Sequence, residues 1–282
     1  MLKETPRDER GIPAPMELAM DLLGLHVFGY TNGLPANMNP LPTRVFLSAL
    51  GGLGVSDAAV RTTLNRMVAR GNLERRKAGR TSAFIPTGLT LAMLQRGRDR
   101  MFSERPFDHE GDVWTILNCP IPETLRNLRY QLQARLVWSG FGMLQPNFWV
   151  APGRVDVEAL LGDIVPEPGL VRAFIGAPTP PDSPEQLVEA GWDVDALRAA
   201  HHRFAARWSA ARPQADEALS QYLLLIDDWG LLLRTDPGLA AAINDPTWPA
   251  PDSARIFRQL RDKWGPLASS AIAGLTGSPV QD

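Results

Sequence analysis

The segment that begins at Ser56 most constrains the fold of this chain, because it carries the start, the period and the end of an amphipathic helix. Ser56 is a favoured N-cap residue, and Asp57 places a carboxylate at the positive end of the helix dipole. Apolar residues then recur at positions 60, 64, 67 and 68, which lie on one side of a helix. Gly71 follows as a C-terminal stop signal. The sequence therefore predicts a helix over 57–70 that buries one side.

Two extended runs follow this helix, at 73–77 and 81–86, and a glycine-containing turn at 78–80 joins them. This pattern predicts a β-hairpin with cationic side chains at its tip and flanks. Two earlier helices are predicted, one over 18–28 and a second that starts at Pro42. Three helices and a cationic hairpin are typical of a winged helix-turn-helix, whose third helix enters the major groove of DNA.

The charge of the chain is partitioned along the sequence. Residues 42–105 contain 12 Lys or Arg and 4 acidic residues, a formal charge of +8, although the whole chain carries only −2. The rest of the chain is therefore at −10. This asymmetry predicts a module that binds a polyanion, attached to acidic domains.

The exposed side of the helix over 57–70 carries side chains suited to reading base edges. Arg61 and Asn65 pair well with guanine and adenine edges, and small neighbours allow close approach to the major groove. Cationic residues of the hairpin, including Lys77 and Arg80, are expected to contact phosphates. The predicted DNA-binding residues are Arg44, Ser56, Arg61, Thr62, Asn65, Arg66, Arg76, Lys77 and Arg80.

A single recognition helix contacts too few base pairs to specify one site in a genome. We therefore expect a homodimer on double-stranded DNA, with an inverted-repeat operator that matches its two-fold symmetry.

The remainder of the chain predicts an α+β protein of several domains. Strand-like and helical runs between 113 and 176 alternate in the order β-α-β-β-α-β, which is the ferredoxin-like pattern. A proline-rich segment typical of a linker lies at 177–186. After it, apolar residues recur at helical spacing and predict helices over 193–211, 216–234 and 253–264. These features predict a winged-helix domain at 1–105, a ferredoxin-like domain at 106–178 and a helical domain at 179–282.

The sequence predicts no enzyme, bound cofactor or metal. It lacks a Gly-x-Ser-x-Gly elbow and the glycine-rich phosphate loops. His201 lies on an apolar helix side and is expected to be a hydrogen-bonded core residue, and Cys119 to be a buried thiol. The uncharged stretch 136–153 contains prolines and glycines that exclude a membrane helix, and no secretory signal is visible, so a cytoplasmic location is expected.

Three segments resemble the PaaX-like repressors of bacterial phenylacetic acid degradation and related aromatic catabolism. They are VSDAAVRTTLNRMVARGNLERRKAGRTSAFIPTG at 55–88, WSGFGMLQPNFWVAP at 138–152 and DPGLAAAINDPTWPAPDSA at 236–254. The resemblance implies a transcriptional repressor that is released from DNA by an aromatic acyl-CoA, phenylacetyl-CoA or a relative. It also implies a middle domain similar to a small CRISPR-associated nuclease of ferredoxin-like type.

Two alternatives follow from these observations. A winged helix can also serve as a protein-interaction scaffold without specific DNA binding. A metal-dependent nuclease would need a carboxylate at the end of its first middle-domain strand. That strand is expected to end at Asn118 and Cys119, while Asp112 lies at its beginning, so the nuclease is disfavoured.

Overall fold

The computed structural model is of the mixed α+β type with two small sheets. It describes residues 7–30, 37–78, 81–108, 113–165, 167, 169–212, 216–239 and 245–277. The chain forms two compact units: the first comprises residues 1–104, 205–230 and 254–282, and the second comprises 105–204 and 231–253. The last three described helices are divided between these units, although the sequence prediction assigns them to a separate domain. The three-domain division stays a prediction.

Unit 1 contains the helices and the hairpin that the sequence predicts around Ser56. Its elements up to residue 104 are α1 (Pro15–Phe28), β1 (Leu41–Pro42), α2 (Thr43–Gly51), α3 (Asp57–Ala69), β2 (Leu73–Ala78), β3 (Thr81–Pro86) and α4 (Gly88–Met101). The three strands form an antiparallel sheet in the order β1-β3-β2. Helix α4 is not among the predicted elements.

The core of unit 1 is built from the apolar sides of α1, α2 and α3, which pack against one another. Phe46 of α2 is fully buried, and its ring meets the ring of Phe84 of β3 edge-on at a centroid distance of 5.9 Å. This contact joins the helices to the hairpin, so the sheet and the helices share one core.

A buried cation, Arg98 of α4, ties α4 to the end of α1. Its guanidinium donates to the carbonyl of Phe28 at 3.1 Å and lies over the rings of Phe28 and Phe102, at 4.8 and 4.6 Å from their centroids. Burial lowers the pKa of Arg98 to about 10, so the side chain stays charged at neutral pH.

Unit 2 is built on a four-stranded sheet. Its elements up to residue 191 are β4 (Trp114–Asn118), a 3-10 turn (Glu123–Leu125), α5 (Arg126–Trp138), β5 (Gly142–Gln145), β6 (Phe148–Pro152), α6 (Val157–Leu161), β7 (Arg172–Gly176) and α7 (Pro184–Gly191). The strands pair antiparallel in the order β5-β6-β4-β7. Leu117, Leu132, Leu136 and Trp149 bring β4, α5 and β6 into one buried cluster.

The prediction of a linker at 177–186 is wrong at its C-terminal end, where α7 begins. The hydroxyl of Ser183 accepts a hydrogen bond from the backbone N–H of Gln186, and the Gln186 side chain accepts from the backbone N–H of Ser183. This reciprocal pair is a capping box, and it starts a helix that packs against β5. The prolines that suggest a linker lie before it and at its first turn, where proline is compatible with a helix.

The C-terminal third contains α8 (Val194–Trp208), α9 (Ala218–Thr235) and α10 (Ala250–Thr276). The predicted end of the last helix at Trp264 is wrong, because α10 continues through Pro266. Within unit 1, Gly265 lies where an added Cβ would come within 2.6 Å of the ring of Tyr30, and Trp264 and Ala268 are buried. Tertiary packing on both sides of the proline therefore stabilises a helix that local propensity would end. No helix among the described residues is both long and apolar enough to cross a membrane.

Unit 2 contains a fully buried polar network centred on His201 of α8. Its Nε2 lies 2.9 Å from Oδ2 of Asp236, and its Nδ1 lies 3.0 Å from the hydroxyl of Ser253. Asp236 also accepts hydrogen bonds from the Trp248 indole and from the backbone N–H of Leu239. The prediction that His201 is a hydrogen-bonded core residue is confirmed.

Burial alone would raise the pKa of Asp236, but the hydrogen bonds from His201, Leu239 and Trp248 and the charge of His201 hold that pKa below its ordinary value. A carboxylate with a lowered pKa stabilises the fold above its unfolded pKa of about 3.9, and the contribution is lost as the pH falls through its folded pKa.

We expect Asp236→Asn to lower the free energy of unfolding at pH 7 by about 3 kcal/mol, because a buried carboxylate with several donors is replaced by a neutral amide. Urea denaturation at pH 7 and at decreasing pH measures this loss. The variant should also lose less stability than the original protein as the pH falls through the folded pKa of Asp236.

The matched control is Asp195→Asn, on the exposed first turn of α8. It should change the unfolding free energy by less than about 0.5 kcal/mol. Equal losses in the two variants would contradict a stabilising role for the network.

Candidate nucleic-acid interface

Helix α3 divides into a buried apolar side and an exposed polar side. Val60, Leu64 and Met67 are each at most 1% exposed, and they fix the rotation of the helix about its axis. The predicted base-reading residues Arg61 and Asn65 are exposed on the other side. Thr62 and Arg66, two further predicted contacts, are exposed with them.

Ser56 acts as the N-cap that the sequence predicts. Its hydroxyl accepts a hydrogen bond from the backbone N–H of Ala59 at 3.3 Å. The hydroxyl thus stabilises the first turn of α3. A contact between Ser56 and DNA stays a prediction.

The side chains of β2 alternate between two faces of the hairpin. Leu73, Arg75 and Lys77 share one face, on which Leu73 is buried and Arg75 reaches Asn65 of α3. Arg76 lies on the opposite face and forms an ion pair with Glu74. Lys77 therefore shares the face of the hairpin that lies against α3, whereas Arg76 does not. Arg80 lies outside the described residues.

A cleft of about 380 Å³ lies beside the exposed side of α3. It is lined by Thr43, Arg44, Leu47, Arg61, Thr81 and Ser82, which come from α2, α3 and β3. The Thr43 hydroxyl donates to the carbonyl of Ser82 at 2.8 Å and holds the start of α2 to β3. Two cationic residues, Arg44 and Arg61, thus line this cleft.

Arg44 has a second set of partners in unit 1. Its Nε donates to the carbonyl of Leu275, and its Nη2 donates to the carbonyl of Thr276 at 3.4 Å. These carbonyls end α10, where the helix dipole favours a cation. Arg44 is therefore a helix-capping residue in this structure, and its contact with DNA stays a prediction.

Sequence reasoning missed Arg75 as a residue of this surface. Its guanidinium lies 5.6 Å from the centroid of the Phe84 ring and donates a hydrogen bond to Oδ1 of Asn65. The signal was present in the strand period, because Arg75 alternates in phase with Leu73 and Lys77.

Several described residues have side chains of the kinds that bind metals or act as nucleophiles in enzymes. Among them there is no group of three or more His, Cys, Asp or Glu side chains placed to hold a metal ion. Asp112 lies outside the described residues, and β4 ends at Asn118. Burial raises the pKa of the Cys119 thiol to about 11, so the predicted buried thiol is confirmed and is protonated at neutral pH. His201 contacts both Ser253 and Asp236, and all three side chains are completely buried in this structure.

The fold and this surface define an α+β protein with a cationic helix and hairpin exposed on one unit. Three sequence models of one family match the chain: "PaaX-like protein" over 30–85, "PaaX protein central Cas2-like domain" over 108–188 and "PaaX-like protein C-terminal domain" over 192–273. Together they cover most of the chain, which belongs to the PaaX-like family.

Two relatives extend this comparison. The chain is 22% identical over 238 residues to the transcriptional repressor PaaX of Escherichia coli (strain K12), a match that covers 79% of this chain and 74% of the relative. The solved structure of the uncharacterized protein Rv0674 from Mycobacterium tuberculosis matches with a TM-score of 0.57 and 21% identity. That match covers 92% of this chain and 98% of the other, and it shows the similarity of fold.

The capping role of Ser56 can be measured directly. Ser56→Ala should lower the stability of unit 1 by about 1 kcal/mol, because the first turn of α3 loses its side-chain acceptor. Ser56→Asn supplies another favoured cap and should restore most of that loss. Thermal denaturation of the three proteins tests this, and equal destabilisation by Ala and Asn would contradict the capping role.

Proposed function

We propose that this protein is a sequence-specific DNA-binding transcriptional repressor without enzymatic activity. The observation that carries the proposal is the exposed side of α3, where Arg61 and Asn65 project while the opposite side is anchored in the core. The name of the Escherichia coli relative, a transcriptional repressor, supports the same class of function.

The architecture we propose for this role has a winged helix-turn-helix at its N-terminal end. Helices α1, α2 and α3 followed by the β2–β3 hairpin have the required order. We propose a ferredoxin-like middle domain, supported by the β-α-β-β-α-β order and the antiparallel sheet of unit 2. The helical C-terminal domain and the boundaries at 105 and 178 belong to the same proposal.

In this arrangement α3 enters the major groove and the hairpin follows the phosphate backbone. The +8 charge of residues 42–105 supplies the sequence-independent attraction, because Lys and Arg side chains displace counterions from phosphates. Base specificity comes from the side chains of α3 that reach the base edges. A homodimer on an inverted repeat doubles the number of base pairs read.

We expect Arg61→Ala to weaken operator binding by about 1–3 kcal/mol and to relax base preference, because a side chain that contacts bases is removed. Lys77→Ala should instead weaken binding to all sequences alike and reduce the salt dependence of affinity. Fluorescence anisotropy with operator and random DNA at two salt concentrations separates the two effects. If Arg61→Ala loses affinity equally for operator and random DNA, its base-reading role is refuted.

Two further assays, of DNA binding and of nucleic-acid cleavage, test the alternative functions of scaffold and nuclease. Phosphate neutralisation alone should give detectable binding of genomic fragments at about 50 mM salt. Absence of any bound fragment would favour a protein-interaction scaffold. Cleavage of DNA or RNA in the presence of Mg²⁺ or Mn²⁺ would favour a nuclease.

We also propose that the regulated genes belong to phenylacetate-type aromatic catabolism and that an aromatic acyl-CoA releases the repressor from DNA. The support is the resemblance of the three quoted segments to the PaaX-like family. A ligand releases DNA only if it binds the DNA-incompetent form more tightly, by about 1.4 kcal/mol for each tenfold loss of DNA affinity.

Titration of phenylacetyl-CoA into the protein–operator complex should release the DNA, whereas free phenylacetate should not. Anisotropy of labelled operator measures the release, and coenzyme A alone is the control for the thioester. If neither a panel of acyl-CoA thioesters nor the free acids changes operator affinity, the effector proposal fails while the DNA-binding proposal stands.

A further inference from the structure

The side-chain amide of Asn65 is held in one orientation by Arg75. A guanidinium has only hydrogen-bond donors, so the atom of Asn65 that faces Arg75 must be the carbonyl oxygen Oδ1. The amide nitrogen, which carries two donors, is therefore the group that remains for another partner. Asn65 is exposed on the side of α3 proposed to face DNA.

Arg75 is itself well positioned to hold this amide. It is the register partner of Phe84 in the hairpin, and its guanidinium lies over the Phe84 ring. Phe84 is only 3% exposed and packs edge-on against buried Phe46. The guanidinium of Arg75 thus contacts a ring that is fixed in the core of unit 1 as well as the amide of Asn65.

This contact changes which base Asn65 is suited to read. A free asparagine pairs with adenine by accepting from the N6 amino group through Oδ1 and donating to N7 through its amide nitrogen. In this structure Oδ1 already accepts from a cation, and the positive guanidinium disfavours a second donor such as the adenine amino group. The two amide donors instead match a base edge that presents acceptors, and guanine presents two of them, N7 and O6.

We propose, on the basis of the proposed function, that the Asn65–Arg75 pair selects guanine at one operator position. In this scheme Asn65 contacts the base, and Arg75 is a positioning residue that sets the orientation of the amide. Thymine offers a single acceptor, O4, next to its methyl group, so it should rank below guanine.

The experiment is a selection of binding sites from a randomised double-stranded DNA pool with the full-length protein. The position read by Asn65 is the one whose preference disappears in Asn65→Ala. The original protein should enrich guanine there. Arg75→Met keeps an apolar stem over Phe84 but removes the donors, and it should shift that position from guanine toward adenine by about tenfold.

Three further variants make the result specific. Arg75→Lys retains a cationic donor and should retain part of the guanine preference. Arg76→Met changes the neighbouring cation on the opposite face of β2, so it should lower general affinity without changing base preference. Arg75→Met in the Asn65→Ala background should cause no further change in preference, because Arg75 acts through Asn65.

The outcomes separate this inference from the proposed function. If the original protein enriches no sequence, the proposed function fails and this inference fails with it. If it enriches a site but no position depends on Asn65, or that position is adenine, or its guanine preference is undiminished in Arg75→Met, only the inference fails. Thermal melting of each variant identifies any that is unfolded. If Arg75→Met is unfolded, the Arg75→Lys selection decides, because a reduced guanine preference supports the inference and an undiminished one refutes it.

Discussion

The burial of Val60, Leu64 and Met67 is the interaction on which the proposed DNA-binding surface depends. These side chains pack where α3 meets α1 and α2, and burial of each contributes about 1.5–3 kcal/mol. Because they fix the rotation of the helix, they also decide which residues face solvent. Arg61, Thr62 and Asn65 are exposed as a consequence of what lies on the other side.

The hairpin extends this surface through the same core. The ring of Phe84 of β3 contacts the ring of Phe46 of α2, and the guanidinium of Arg75 lies over the Phe84 ring. The buried Phe84 ring therefore connects the core of unit 1 to the Arg75 guanidinium, which orients the side-chain amide of Asn65 on α3. Arg44 makes a different connection, because it joins the start of α2 to the carbonyls that end α10.

In unit 2, hydrogen bonds between completely buried polar side chains, rather than apolar contacts, fix the arrangement of the chain around His201. The His201–Asp236 pair is completely buried, and Ser253, Trp248 and backbone N–H groups satisfy its remaining hydrogen-bonding atoms. A fully satisfied network of this kind specifies one arrangement of the chain, since each unsatisfied partner would be costly. The same atoms in an open cleft would suggest catalysis, which shows that burial decides their role.

The sequence by itself determined the elements whose signals are local. The helical period and N-cap of α3, the hairpin, the alternation of strands and helices in unit 2, and the core position of His201 all follow from short-range patterns. The charge partition likewise requires only the order of residues. In these cases the local preference and the final environment agree, so the pattern was sufficient.

Only the tertiary structure decided the features that depend on contacts between distant residues. The packing of Gly265 against Tyr30 lets α10 continue through Pro266. The division of α8, α9 and α10 between two compact units likewise depends on contacts between residues far apart in the sequence. The contact between Arg75 and Asn65 joins a strand to a helix. The strand period separates Arg75 and Lys77 from Arg76, but no local pattern specifies which of these two cations makes the contact. Such contacts depend on three-dimensional packing, in which the burial of many side chains outweighs the preference of any one residue.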